Sequence, residues 1–126
     1  MAIAQAATET GWGTSRFARK ANALFGQWTY DAKEGLKPTD ADPGTRHTIK
    51  RYDRLIDSAW DYVRNLNTNA ANRGLRQPRA KGETSGTALA GTLEKYSERG
   101  IKYVTLLRTV IAQNRLAQLN KARLRD

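Results

Sequence analysis

The stretch Ala4 to Gly13, AQAATETGWG, decides how this chain begins to fold. Its alanines favour a helix, and Gly11 can adopt the left-handed backbone conformation with which many helices end. Glu9 therefore falls on the last turn of a helix predicted over residues 2–10. The C-terminal end of a helix carries partial negative charge, which disfavours another negative charge nearby. We therefore expect the pKa of the Glu9 carboxyl group to be raised.

Trp12 strengthens this expectation, because an apolar ring beside a carboxyl group removes water that would stabilise its charge. A carboxyl group that stays protonated near neutral pH can donate a proton to a leaving group. Glu9 is thus a candidate general acid. By themselves, these ten residues fit a solvated glutamate on a final helical turn at least as well, so the choice depends on the rest of the chain.

Composition places the chain among small globular proteins. Its 126 residues suffice for one domain with a modest core, and no apolar run approaches the roughly 20 residues that span a bilayer. The first residues lack the basic and long apolar regions of a signal peptide. The absence of cysteine excludes disulfides and thiol nucleophiles. With His47 as the single histidine, a zinc site or a Ser-His-Asp triad has little support.

The net charge of +10 indicates an anionic partner. Nucleic acid, anionic lipid and the bacterial cell wall all qualify, and charge alone does not choose among them. The basic clusters are most simply solvated surface, with attachment to anionic wall polymers as the functional alternative. They comprise Arg16, Arg19 and Lys20, then Arg73, Arg76, Arg79 and Lys81, and finally Lys121, Arg123 and Arg125.

Residue patterns predict a mainly helical α+β fold with one small β-hairpin. Asp53 is the predicted cap of a long helix whose buried stripe comprises Leu55, Ile56, Ala59, Trp60, Val63 and Leu66. We expect Trp60 and Tyr62 to be core and edge residues of that helix. The predicted helices cover 2–10, 15–21, 53–66, 70–76, 85–96 and 100–114, and the hairpin strands 27–30 and 47–52. The predicted loops cover 31–46 and 76–86.

Four segments resemble, in order, the Bax-like branch of glycoside hydrolase family 73, bacterial β-N-acetylglucosaminidases that cut peptidoglycan. They are AQAATETGWGTSRFA, NALFGQWTYD, SAWDYVRNLN and YSERGIKYV, beginning at residues 4, 22, 58 and 96. The first and last are the most specific. The resemblance implies a single catalytic domain over residues 1–126, which is either truncated at its N-terminus or a compact natural form. It also implies a lysozyme-like fold with a cleft between a helical lobe and a hairpin lobe.

The same resemblance assigns roles to particular residues. Glu9 matches the catalytic glutamate of the A-x-E-x-G-W-G motif, and Tyr96 and Tyr103 match tyrosines that line the cleft near it. A second carboxylate is expected from the hairpin, where the candidates are Asp31 and Glu34. Asp40 and Asp42 follow as weaker candidates, and the substrate's own N-acetyl group is an alternative nucleophile.

Aromatic residues around the implied cleft are candidate platforms for sugar rings. Trp28 and Tyr30 fall on the same side of a predicted strand, and Trp12 follows the candidate acid. Phe25 belongs to this candidate set, although a place in the core suits it better.

The sequence therefore predicts hydrolysis of the β-1,4 bond after N-acetylglucosamine, with Glu9 as acid, helped by Tyr96 or Tyr103. No metal or organic cofactor is implied. The expected partner is the peptidoglycan glycan strand and not nucleic acid. We expect a monomer without a membrane span, acting in the periplasm or extracellular wall, with its export region outside this chain. The alternatives are a muramidase, a lytic transglycosylase, a basic nucleic-acid-binding module, or a domain that binds wall without cutting.

Overall fold

The computed structural model describes residues 1–31, 33–39, 44 and 46–123, and the chain forms two compact units. The N-terminal unit is Ala6–Val63, and the C-terminal unit combines Met1–Gln5 with Arg64–Asp126. The helices are α1 (Ala2–Thr10), α2 (Arg16–Ala21), α3 (Leu55–Thr68), α4 (Arg73–Ala80), α5 (Gly86–Ala90) and α6 (Ile101–Gln113). Short 3-10 helices span Ala70–Asn72 and Leu116–Lys121. The strands are β1 (Trp28–Thr29), β2 (Gly35–Leu36) and β3 (Thr48–Lys50). The prediction of a mainly helical α+β chain is confirmed.

The sheet contains one strand more than the predicted hairpin. Both β1 and β2 pair antiparallel with β3, which lies between them. Strand β2 falls inside the predicted loop 31–46, and its two residues are too few to show the alternation that identifies a strand. Gly35 is required there, because a Cβ at this position would overlap the hydroxyl of Thr48.

The core of the N-terminal unit lies where α2 meets the sheet. Ala21, Ala23 and Tyr52 are buried together, and Phe17, Leu36 and Ile49 pack against them. The sequence offers Thr14 or Ser15 as the cap of α2, and the structure confirms Ser15, whose hydroxyl accepts a hydrogen bond from the Ala18 N–H at 3.2 Å.

Helix α3 buries a different face from the predicted one. Of the predicted apolar stripe, Leu66 is buried, whereas Trp60 is 66% exposed. Leu55, Ile56 and Val63 are exposed as well. Ser58 and Tyr62 are buried instead, because the Ser58 hydroxyl accepts the Leu24 N–H and the Tyr62 ring stacks on another ring. The prediction that Trp60 lies in the core is wrong.

The first turn of α3 also differs from the prediction that Asp53 caps it. Here the Asp57 carboxylate accepts hydrogen bonds from the backbone N–H and the guanidinium of Arg54. The hydrogen bond from the Arg54 side chain holds the pKa of the Asp57 carboxyl group below its usual value. Arg54 holds the cap position and Asp57 is the third helical residue, so the hydrogen bond from the Arg54 N–H to the Asp57 carboxylate forms one half of a capping box.

The C-terminal unit is built around α6, whose buried face comprises Tyr103, Val104, Leu107 and Ile111. Helix α5 ends at Ala90, earlier than predicted, and α4 extends to Ala80 through part of the predicted loop. Proline and glycine near residues 78–86 suggested a loop, but α4 ends only two residues after Pro78. Within the described part of the chain, no helix combines the length and apolarity needed to cross a membrane.

Candidate active site

Glu9 lies on the last turn of α1, directly before a turn with three consecutive positive φ angles. These angles are 55° at Gly11, 59° at Trp12 and 79° at Gly13. The Trp12 N–H donates to the Ala7 carbonyl at 2.9 Å, which is the six-to-one hydrogen bond of a Schellman motif. The predicted helix end is therefore confirmed.

Hydrogen bonds of Thr10 hold the Gly11–Gly13 turn in place. Its buried hydroxyl donates to the Ala6 carbonyl at 2.6 Å and accepts the Gly13 N–H at 2.8 Å. The Ser15 N–H donates to the Thr10 carbonyl at 3.0 Å. Helix α1 is thus tied to the start of α2, and the turn between them has a defined shape.

Trp12 carries conformational strain. A bulky residue with positive φ is uncommon and costs about 1–3 kcal/mol. Its indole is nevertheless 61% exposed, so burial of the ring does not offset this cost. Strain of this kind accumulates at functional sites, where the surrounding structure holds it in place.

The Glu9 carboxylate lies against Gly26, at the end of the NALFG segment. A Cβ built on Gly26 would lie 3.1 Å from Glu9 Oε2, and the φ of Gly26 is 62°. The backbone conformation therefore favours glycine, and a Cβ would force the end of the Glu9 side chain to shift by a few tenths of an ångström. The structure brings together two of the sequence segments that the resemblance had matched separately.

A polar network that sequence analysis missed adjoins Gly26. The Tyr52 hydroxyl lies 2.5 Å from Gln27 Oε1 and 2.7 Å from Asp61 Oδ2, and Lys50 Nζ donates to the same Asp61 oxygen at 3.0 Å. The Lys50 N–H also donates to the Gln27 carbonyl at 2.8 Å. These bonds hold the residue after Gly26 by both its side chain and its backbone.

The network has one formal conflict, because a single tyrosine hydrogen cannot serve two acceptors. Exchanging the oxygen and nitrogen of the Gln27 amide resolves it. Gln27 Nε2 then donates to the Tyr52 oxygen, and the Tyr52 O–H donates to Asp61. Each member then has a donor facing an acceptor.

Phe25 is a core residue. Its ring is buried and stacks on Tyr62, with ring centroids 3.8 Å apart and an interplanar angle of 11°. A ring buried in this way offers no free face to a sugar. We therefore do not retain Phe25 as a substrate contact.

Two candidate sugar platforms are exposed near β1. Trp28 is 53% exposed and stacks on His47 at 3.8 Å between ring centroids. Tyr30, which follows β1, is exposed as well. The His47 ring thus covers one face of the Trp28 indole.

The two candidate second carboxylates lie in the β1–β2 connection and are exposed. Asp31 Oδ1 accepts the Lys33 N–H at 2.8 Å, and the Asp31 carbonyl accepts the Glu34 N–H at 3.1 Å. Asp31 therefore shapes its own turn. Asp40 and Asp42 lie outside the described residues.

The two tyrosines of the YSERGIKYV segment form a cluster in the C-terminal unit. Their rings stack with centroids 5.9 Å apart, and the fully buried Tyr103 hydroxyl accepts a hydrogen bond from Gln5 Nε2 at 3.2 Å. The Arg99 guanidinium lies over the Tyr103 ring at 5.9 Å. Tyr103 is thus a core residue that also takes part in a polar contact.

Among the described residues, no group of three or more His, Cys, Asp or Glu side chains is arranged to hold a metal ion.

The Thr8 hydroxyl is buried and has no hydrogen-bond partner among the described residues. We expect Thr8→Val to raise the free energy of unfolding by about 1 kcal/mol, because it removes a desolvated hydroxyl at constant shape. Thermal or urea unfolding measures this. The control is Thr109→Val, which removes an exposed hydroxyl bonded to the Thr105 carbonyl. Destabilisation by Thr8→Val would show that the hydroxyl has a partner in solution.

Comparison with known proteins decides the family. The Glucosaminidase family model, described as mannosyl-glycoprotein endo-β-N-acetylglucosaminidase, matches residues 1–116. The chain belongs to this family. The protein named bax of Escherichia coli (strain K12) is similar to this glucosaminidase domain, with 34% identity over 119 residues. The match covers 90% of this chain and 42% of that protein, so the chain spans about two fifths of its relative.

Family membership confirms the resemblance to the Bax-like branch of glycoside hydrolase family 73 and the assignment to a family of glycoside hydrolases. No solved structure was found to match the chain. The lysozyme-like architecture of the glucosaminidase domain therefore stays a prediction.

Proposed function

We propose that this domain hydrolyses the β-1,4 bond after N-acetylglucosamine in peptidoglycan, with Glu9 as general acid. The observation that carries the proposal is the placement of Glu9 at the end of α1, with its carboxylate against Gly26. Family membership supports glycoside hydrolysis, and the half-buried Glu9 carboxyl group at the end of α1 is our candidate to perform it.

In this mechanism, Glu9 donates its proton to the leaving glycosidic oxygen as the bond to the sugar lengthens. The end of α1 favours the protonated form before the reaction, because its carbonyl groups present negative charge. Gly26 leaves the space that the carboxyl group occupies, and the hydrogen bonds of Tyr52 and Asp61 hold Gln27, the residue after Gly26. Trp12, Trp28 and Tyr30 offer exposed rings to the apolar faces of the sugars.

Tyr96 and Tyr103 act in the proposal through their hydroxyl groups. We expect Tyr96→Phe or Tyr103→Phe to reduce turnover more than about tenfold, while stability changes by only about 1 kcal/mol, the net worth of one hydrogen bond. The two variants are assayed separately on purified peptidoglycan and by thermal unfolding. If both retain full activity, the tyrosines are packing residues, and the fourth matched segment reflects shared fold only.

The second carboxylate of the reaction is proposed to come from Asp31 or Glu34. Asp31→Asn keeps an acceptor for the Lys33 N–H, so the turn is preserved and only the charge is lost. We expect Asp31→Asn or Glu34→Gln to lower the lytic rate more than Asp40→Asn or Asp42→Asn. Equal, small effects at all four positions would favour the substrate's N-acetyl group as nucleophile.

The stereochemistry of the product complements this test. Carboxyl groups about 5 Å apart give retention of configuration, whereas a separation of about 6.5–9.5 Å admits a water molecule and gives inversion. The anomer released first, measured by nuclear magnetic resonance on a short glycan, distinguishes these outcomes.

The primary test is whether the 126-residue chain clears purified sacculi. We expect turbidity to fall and soluble muropeptides to appear. Binding without release would support a wall-binding domain that does not cut. Salt-sensitive binding to nucleic acid, with no lysis, would support the nucleic-acid alternative.

We further propose that the domain acts as a monomer in the periplasm or the extracellular wall.

A further inference from the structure

The net charge of the chain is distributed very unequally between its two units. The C-terminal unit contains thirteen Lys and Arg and four Asp and Glu residues, for a formal charge of +9. The N-terminal unit, which holds Glu9 and the exposed rings near β1, contains nine and eight, for a charge of +1. The candidate catalytic unit is therefore almost neutral, and the other unit carries the charge that calls for an anionic partner.

Helix α4 and its cap form the densest cationic segment. The nine residues from Arg73 to Lys81 contain four cationic side chains and no acidic one. Arg73, Arg79 and Lys81 are exposed. Arg76 has a structural role, because its guanidinium donates to the carbonyl groups of Leu66 and Asn69.

Internal ion pairs do not neutralise this charge. The ion pairs among the described residues, Lys50–Asp61 and Arg54–Asp57, both lie in the N-terminal unit. In the described part of the C-terminal unit, no Lys or Arg has a carboxylate partner. Its positive charge is thus available to an external anion.

We propose that the C-terminal unit, through Arg73, Arg79 and Lys81, binds the carboxylates of the peptide stems that branch from the glycan strand. The inference rests on the proposed function, since it names how the same polymer is held. Peptidoglycan combines an uncharged sugar backbone with anionic peptide branches. Exposed aromatic rings on the near-neutral unit suit the sugars, and guanidinium and ammonium groups suit the carboxylates.

The test measures binding of the full chain carrying Glu9→Gln to insoluble sacculi by co-sedimentation, so that digestion does not remove the target. One variant adds Arg73→Gln, Arg79→Gln and Lys81→Gln. The matched control adds Arg19→Gln, Lys20→Gln and Lys37→Gln, which removes the same charge from exposed positions of the N-terminal unit. A second set of sacculi has its carboxyl groups converted to amides.

We expect the α4 variant to bind roughly tenfold more weakly than its parent, the loss expected from three exposed charge contacts, and the control to bind nearly as the parent does. Amidation of the sacculi should weaken binding of the parent to the level of the α4 variant, so that the two proteins bind amidated sacculi equally. Equal losses in both triple variants, or undiminished binding to amidated sacculi, would overturn the proposal.

Two further probes separate other anionic partners. If the α4 variant loses affinity only for duplex DNA, or only for phosphatidylglycerol vesicles, while it still binds sacculi, the surface serves another polymer or a membrane. These experiments measure binding and not hydrolysis, so a failure of the proposed binding surface is distinguishable from a failure of the proposed hydrolysis. Charge-dependent binding by a wild-type chain that releases no muropeptides would refute hydrolysis and leave this inference standing.

Discussion

Glu9→Gln is expected to remove nearly all lysis of peptidoglycan and to leave the fold intact. The amide has the shape of the carboxyl group, so the contact with Gly26 is kept, but it cannot donate a proton of suitable acidity. General acid catalysis contributes about 10²–10⁴-fold, and the lytic rate should fall by that factor. The rate of turbidity loss of purified sacculi, together with circular dichroism and thermal unfolding, measures both parts of this expectation.

The matched control for this substitution is Glu94→Gln, which changes an exposed glutamate of the C-terminal unit in the same way. It should leave the lytic rate unchanged. A folded Glu9→Gln protein that lyses sacculi at the wild-type rate would disprove the assignment of Glu9 as acid.

Gly26→Ala has the second largest expected effect. The added methyl group would lie 3.1 Å from Glu9 Oε2, on a backbone with a φ of 62°, so the carboxyl group must move. Because misplacing a catalytic group by about 1 Å can cost roughly 10²-fold in rate, a shift of a few tenths of an ångström on this backbone should cost about tenfold. We expect a loss of turnover of that order, with a loss of stability of about 1–2 kcal/mol from the left-handed conformation.

Gly82→Ala separates the effect of displacing the Glu9 carboxyl group from the effect of straining a left-handed backbone. Gly82 also has a positive φ, of 90°, and a Cβ there would meet no atom within 4 Å. It should show a similar loss of stability with no loss of turnover. If the two variants lose equal activity at equal stability, Gly26 does not position Glu9.

The sequence predicted the features of the site that depend on neighbouring residues. The end of α1, the turn at Gly11 to Gly13 and the Ser15 cap all follow from local preferences for helix, left-handed backbone and capping hydroxyl. The position of Glu9 before that turn was predictable for the same reason. The family resemblance added its candidate role, which no local preference contains.

The remaining features depend on residues that are far apart in the chain. The contact of Glu9 with Gly26, and the network of Tyr52 and Asp61, involve no short-range pattern. The predicted buried face of α3 is wrong because the spacing of apolar residues carries no information about specific partners in other segments. Ser58 and Tyr62 are buried on that face instead. Ser58 accepts a hydrogen bond from the Leu24 N–H, and the Tyr62 ring stacks on Phe25.

The most direct test of the account is to digest purified peptidoglycan in water enriched in ¹⁸O and to identify the new chain ends by mass spectrometry. Hydrolysis after N-acetylglucosamine should give a reducing N-acetylglucosamine end that carries one ¹⁸O atom. The same digest with the Glu9→Gln protein should yield almost none. A labelled reducing muramic acid end would indicate a muramidase, and an unlabelled anhydro sugar a lytic transglycosylase; either result would contradict the account.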